Sequence, residues 1–261
     1  MPTLVGGVGE LYQGDLDFGR HAAEQLARAD LGRDVIVEDL HYGALAVAQR
    51  MAEVHPAALV LIGARPAGQT PGSLRRCRIR DHRLSAAEFQ QSLGGAATGY
   101  VGIDLVIDVA AGLGVLPDRT VTIELEPVTA GPATALSPRA ARALPRAVGL
   151  ARAEALRTPL FELEDRLADH DPGRLGQIGA PRTVTLLRDE LRSLDLTGRW
   201  GRSFALRDRL RTQIAAELPA EGMDHLDWAL WWALIEELDR LEALEAAAAT
   251  EDLNAGKCQE H

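Results

Sequence analysis

Six side chains that could hold a metal or move a proton fall early in the chain: Glu10, Asp15 and Asp17, then Glu38, Asp39 and His41. Carboxylates supply oxygen donors and imidazole suits nickel or zinc, so Asp15, Asp17, Asp39 and His41 could together form a transition-metal shell, although their spacing matches no diagnostic motif. Each also has an ordinary reading. Asp17 can cap a helix, Asp39 can end a strand and His41 can sit at the surface. Arg65 could pair with Asp15 or Asp39 and place a fixed positive charge among the acids. Ser85, Ser92 and Ser137 lack the glycine-framed strand-to-helix elbow of a hydrolase nucleophile. His82 reads as a solvated loop residue, and His55, before Pro56, as a helix-end histidine favoured by the dipole.

These residues gain meaning only if the chain brings them to one end of a sheet. Residues 3–9 are apolar and end in glycines, which predicts a buried strand entering a tight turn. From Asp17 the apolar positions Phe18, Ala22, Ala23 and Leu26 recur at helical spacing. A strand at 35–39, a helix at 42–54 and a strand at 58–63 follow. Strand and helix alternating through short connections predict a parallel sheet with right-handed crossovers, covered on both faces. Further on, 73–80 reads as an exposed strand, 99–112 as a helix and 119–126 as a fifth strand. Ser137 and Pro138 open another helix, with serine as N-cap and proline in the first turn. The fold class predicted is a three-layer α/β/α sandwich with a mostly parallel five-stranded sheet, followed by an α-helical extension. In an open sheet of this kind ligands gather beyond the carboxyl ends of the strands, where the six side chains should lie.

Composition narrows the function classes. The formal charge of −10 opposes a general nucleic-acid role, which depends on basic side chains displacing phosphate counterions. The one basic cluster, Arg75-Arg76-Cys77-Arg78-Ile79-Arg80, reads as an edge strand with solvated arginines. No apolar run approaches the roughly 18 residues needed to span a bilayer, so membrane insertion is not expected. The start carries no secretory signal pattern, and a cytoplasmic location is expected.

The turn Gly7-Val8-Gly9, with acids closing the second strand, admits a dinucleotide-binding reading, but Tyr12 stands where the third glycine belongs. The longer stretch from Gly7 through Asp15 and Asp17 to Gly19 resembles the opening signature of the hydrogenase maturation proteases. Further landmarks follow in that family's order: Asp39 ending the second strand, the third strand at 58–62, Pro71-Gly72-Ser73, a helix near 99–112, Gly114-Val115-Leu116-Pro117, Glu126-Pro127 and Leu136-Ser137-Pro138. The resemblance runs over residues 1–157. It implies the sandwich fold, a divalent metal held by two acids and a histidine, and cleavage of the C-terminal extension of a nickel-iron hydrogenase large subunit.

The ligand positions depart from that pattern. The first falls on Leu16, the second at Gly63 and the third near Thr98 or Gly99, while Glu10 replaces the signature asparagine. Leucine and glycine side chains offer no donor atoms. The sequence therefore predicts an accessory protein of hydrogenase maturation that binds a large subunit or another maturation protein without cutting it, and holds no metal. The alternative is an active endopeptidase with nickel or zinc on the relocated set Asp15, Asp17, Asp39 and His41.

Residues 158–249 predict a helical domain, and 250–261 a polar tail. Trp228, Trp231 and Trp232 lie in one helical segment, the first two on a seam continued by Ile235 and Leu238. That seam reads as an internal packing face or as a docking face for a partner, since tryptophan is enriched at interface centres.

Overall fold

The computed structural model describes residues 2–99, 101–162, 189, 191–195, 208, 212, 233, 236–237 and 239–240. Residues up to Ala155 belong to one compact unit and those from Leu156 to Asp252 to a second. The first unit is the expected sandwich. Strands β1 (Thr3–Gly7), β2 (Val35–Asp39), β3 (Ala58–Ala64), β4 (Leu74–Ile79) and β5 (Arg119–Leu125) form one sheet in the order β2-β1-β3-β5-β4. All pairs are parallel except β4 with β5, where Leu74 faces Leu125 and Ile79 faces Thr120.

Alternation along the central strands explains the three layers. Leu4, Leu59 and Leu61 point to one face and join Val47 and Met51 of α2 (Ala44–Val54), Ala96 of α3 (Ala86–Ala96) and Val106 and Val109 of α4 (Ile103–Gly112). Val5, Val60 and Ile62 point to the other and meet Phe18 and Leu26 of α1 (Phe18–Leu26) and Ala147 and Ala151 of α5 (Pro138–Leu156). Both faces are covered there, so β1 and β3 are apolar almost throughout rather than alternately polar. Each fully buried large apolar side chain contributes about 1.5–3 kcal/mol.

Two features differ from expectation. Helix α3 was not legible as a periodic apolar face; it is held by a capping box, with Ser85 accepting from the Glu88 N–H and the Glu88 carboxylate accepting from the Ser85 N–H. Strand β4 lies at the sheet edge, yet its arginines are not solvated: Arg76 is buried and pairs with the buried Glu154 of α5, Nε to Oε1 at 2.9 Å and Nη2 to Oε2 at 3.1 Å. In the second unit, residues 158–162 and 191–195 are helical, with Leu160 and Leu191 fully buried.

Candidate functional site

The carboxyl ends of β1, β2 and β3 turn into the loops that carry the candidate side chains. Beyond β1 the Val8 N–H donates to the Ile62 carbonyl at 2.7 Å, which draws the first loop across the end of β3. Helix α1 can pack this closely only because position 19 is glycine, where a Cβ would lie 2.2 Å from the Val8 carbonyl oxygen and 2.3 Å from that of Ile62. A single 3-10 turn, Asp15–Asp17, then leads into α1.

Asp15 is fully buried in that turn. One oxygen accepts the Ser137 N–H at 2.7 Å, and the other accepts the N–H groups of Val128 at 2.9 Å and Thr129 at 3.2 Å. Burial by itself would raise its pKa, but the bonds from Ser137, Val128 and Thr129 outweigh burial and hold the carboxyl below its ordinary value. The side chain thus ties the first loop to the one after β5, reinforced by Ala133 N–H to the Tyr12 carbonyl at 2.9 Å. Asp17 does occupy the N-cap position, but its side chain makes no cap bond. It receives the Arg20 guanidinium instead, Nε to Oδ1 at 2.9 Å and Nη2 to Oδ2 at 2.6 Å.

After β2, His41 Nδ1 stands 3.0 Å from Asp39 Oδ1, out of hydrogen-bond alignment, and among the described residues that oxygen accepts no hydrogen bond. Glu38 is taken by Arg50 of α2, at 2.6 Å. Of the relocated set, Asp39 and His41 meet, while Asp15 is bound by backbone and Asp17 by Arg20. Among the described residues no three His, Cys, Asp or Glu side chains form a metal-holding group.

The family's ligand positions have been given other uses. Leu16 is half-buried, and its carbonyl accepts the N–H of the half-buried Glu10 at 3.1 Å. Gly63 is buried, and a Cβ there would lie 2.7 Å from the Val8 carbonyl oxygen and 3.0 Å from Ile103 Cδ1, so no carboxylate fits without moving backbone. Thr98 is exposed and donates to the Gly95 carbonyl at 2.7 Å, closing α3, while Gly99 follows at φ +80°. These residues do not fit the divalent metal the family resemblance implies.

Arg65 does not pair with Asp15 or Asp39. Its Nε donates to Asp104 at 2.8 Å and its Nη1 reaches Glu124 at 3.3 Å. Glu124 lies beside Gly63 in the sheet, so an arginine one residue beyond β3 reaches it more readily than the acids of the first two loops. Buried Glu124 was missed in the sequence; it also accepts from Arg75 and from Thr122 Oγ1, the latter at 2.6 Å. Alternation along β5 places Glu124 on the same face as Thr120 and Thr122 but does not name its arginine partners. His82 was also misread: it is half-buried, and its Nε2 lies 2.8 Å from Asp108, which accepts from Ser92 Oγ at 3.0 Å. The carboxylate sits between serine and imidazole, so this is not a nucleophile–base arrangement. Trp228, Trp231 and Trp232 lie outside the described residues.

Around the carboxyl end of the sheet, Leu11, Tyr12, Tyr42, Leu45 and Val128 are exposed large side chains, with Tyr12 64% accessible and at φ +60°.

No family model and no curated protein matches the chain. The fold is similar to that of hydrogenase maturation peptidases. Solved structures that resemble it include the hydrogenase maturating endopeptidase HybD from E. coli, with 20% identity over 57% of this chain and 88% of that one and a TM-score of 0.43. An endopeptidase from Escherichia coli has 21% identity over 60% and 93%, with a TM-score of 0.47. The hydrogenase 2 maturation peptidase from Thaumarchaeota archaeon SCGC_AB-539-E09 has 22% identity over 57% and 95%, with a TM-score of 0.41.

Proposed function

We propose that the chain is a cytoplasmic accessory protein of nickel-iron hydrogenase maturation, whose sandwich domain binds a hydrogenase large subunit or another maturation protein without cleaving it. The observation that carries this reading is Gly63. At the position of a ligating acid it is sealed by the Val8 carbonyl and Ile103, while Leu16, Thr98 and Gly99 offer no replacement shell. The exposed apolar side chains around the same end of the sheet suit a surface that binds protein, because such residues in a group are the usual mark of an interaction site.

The second reading, an active endopeptidase with a displaced metal, is favoured by one contact, the approach of His41 to the unbonded oxygen of Asp39. One experiment separates the two. The purified chain is incubated with a nickel-loaded large-subunit precursor, and the mixture is followed by mass spectrometry and size exclusion. A stable complex with an uncut precursor is expected. Removal of the extension, abolished in His41→Ala, would establish the endopeptidase; absence of both complex and cleavage would remove hydrogenase maturation from consideration.

A further inference from the structure

Cys77 is disulfide-bonded. It sits in the middle of β4, 2% accessible, beside Thr122 of β5. The chain holds one other cysteine, Cys258, which lies outside the described residues. Within a single chain, the sulfur joined to Cys77 can only be that of Cys258.

The two cysteines differ in what they can do. Cys77 is the fixed half of the bond. Alternation puts Arg75 on its own face of β4 and Arg76 on the other; Arg75 is held by Glu124 of β5 and Arg76 by the buried Glu154 of α5, so the strand is anchored on both faces beside the cysteine. A buried sulfur on an anchored strand is poorly placed to meet an oxidant from solution. Cys258 follows Lys257, the only lysine in the chain, and a neighbouring cation favours the thiolate, the form that attacks a disulfide. Cys258 is therefore suited to begin an exchange and Cys77 to complete it. The strand that carries Cys77 is also an edge of the sheet, the last in the order β2-β1-β3-β5-β4, so nothing in the sheet itself covers its outer side.

We propose that Cys77 and Cys258 form a reversible disulfide, a redox latch that holds the chain around Cys258 against the edge strand β4 and lets it go on reduction. A disulfide keeps its two Cα atoms within about 7 Å, so the bond and the docking are one event. The bond forms by exchange with a small-molecule disulfide such as glutathione disulfide. The Cys258 thiolate attacks one of its sulfurs and expels a small thiolate. The Cys77 thiol then attacks the Cys258 sulfur of the mixed disulfide and expels the second, its proton passing to the departing group. Two protein thiols and one small disulfide become one protein disulfide and two small thiols, and excess thiol reverses both steps.

The lone lysine gives a direct test. The full chain is treated with N-ethylmaleimide to block free thiols, then digested in urea with a protease that cuts only after lysine, and weighed by mass spectrometry. One chain plus one water is expected, with Cys258–His261 retained and released only when a reductant is added. Cys77→Ser should release the same tetrapeptide without reductant. Its release from the wild type without reductant, or a species of two joined chains, would overturn the pairing. The same digestion is repeated after equilibration with glutathione and glutathione disulfide over a series of ratios. The bond is expected to open and re-form across the series; a bond still closed at the greatest thiol excess, or not re-formed at the greatest disulfide excess, would overturn the latch.

Discussion

Replacing Asp15 separates a structural tie from a metal ligand. In Asp15→Ala, the N–H groups of Val128, Thr129 and Ser137 lose their acceptor at once. An unsatisfied buried donor costs about 1–3 kcal/mol, but Val128 and Thr129 are exposed enough for water to reach their backbone, so about 3 kcal/mol in total is expected rather than the full sum. For a chain of this size that lowers the melting temperature by roughly 6–12 °C. Asp15→Asn keeps one acceptor oxygen and should lose about half as much. The pH dependence has a definite sign. The folded carboxyl lies below its ordinary value of 3.8, so its stabilisation is complete above that pH and is lost as pH falls through the lower folded value. Urea denaturation at pH 7 and at stepped acidic pH tests this. Wild-type stability in Asp15→Ala at pH 7, or a stability difference that grows as the pH is lowered, would refute the account of this loop.

Two further outcomes follow from named contacts and a third from the tryptophan seam of the sequence. Arg76→Ala should cost about 3–5 kcal/mol by breaking a buried ion pair from one side, whereas Arg76→Met with Glu154→Leu should cost much less; chemical denaturation of both variants checks this. Gly63→Asp should lower thermal stability and should not create nickel binding measurable by equilibrium dialysis, because the added carbon meets the Val8 carbonyl at 2.7 Å. Trp228→Ala and Trp231→Ala should each cost about 3–5 kcal/mol in thermal unfolding if their seam is internal, or weaken complex formation at unchanged stability if it docks a partner.

Much of the sandwich was legible in residue order. Three strands fall where the apolar runs place them and β4 and β5 where alternation does, and Ser137 caps α5 through the Ala140 N–H at 3.2 Å. Helix α3 escaped because its main signal is a local pair, Ser85 and Glu88, rather than a long apolar stripe. The candidate site divides in the same way. That Leu16 and Gly63 cannot ligate a metal follows from their side chains alone. That Gly63 has no room for a ligand depends on a carbonyl from another strand's loop.

The sequence by itself determined the strand and helix periods, the two-faced burial of the central strands and the absence of side-chain donor atoms at Leu16, Gly63 and Gly99. These are properties of single residues and of near neighbours along the chain. Only the tertiary structure decided where each charge is spent. Asp15 meets Ser137 across 122 positions, Arg76 meets Glu154 across 78 and Arg65 meets Glu124 across 59. A carboxylate or guanidinium is satisfied by whatever donor or acceptor the fold brings within about 3 Å, and no periodicity encodes that partner. The same chemistry therefore made Asp15 a backbone tie and left Arg80 and Arg83 open to solvent, a distinction that charge patterning along the chain does not contain.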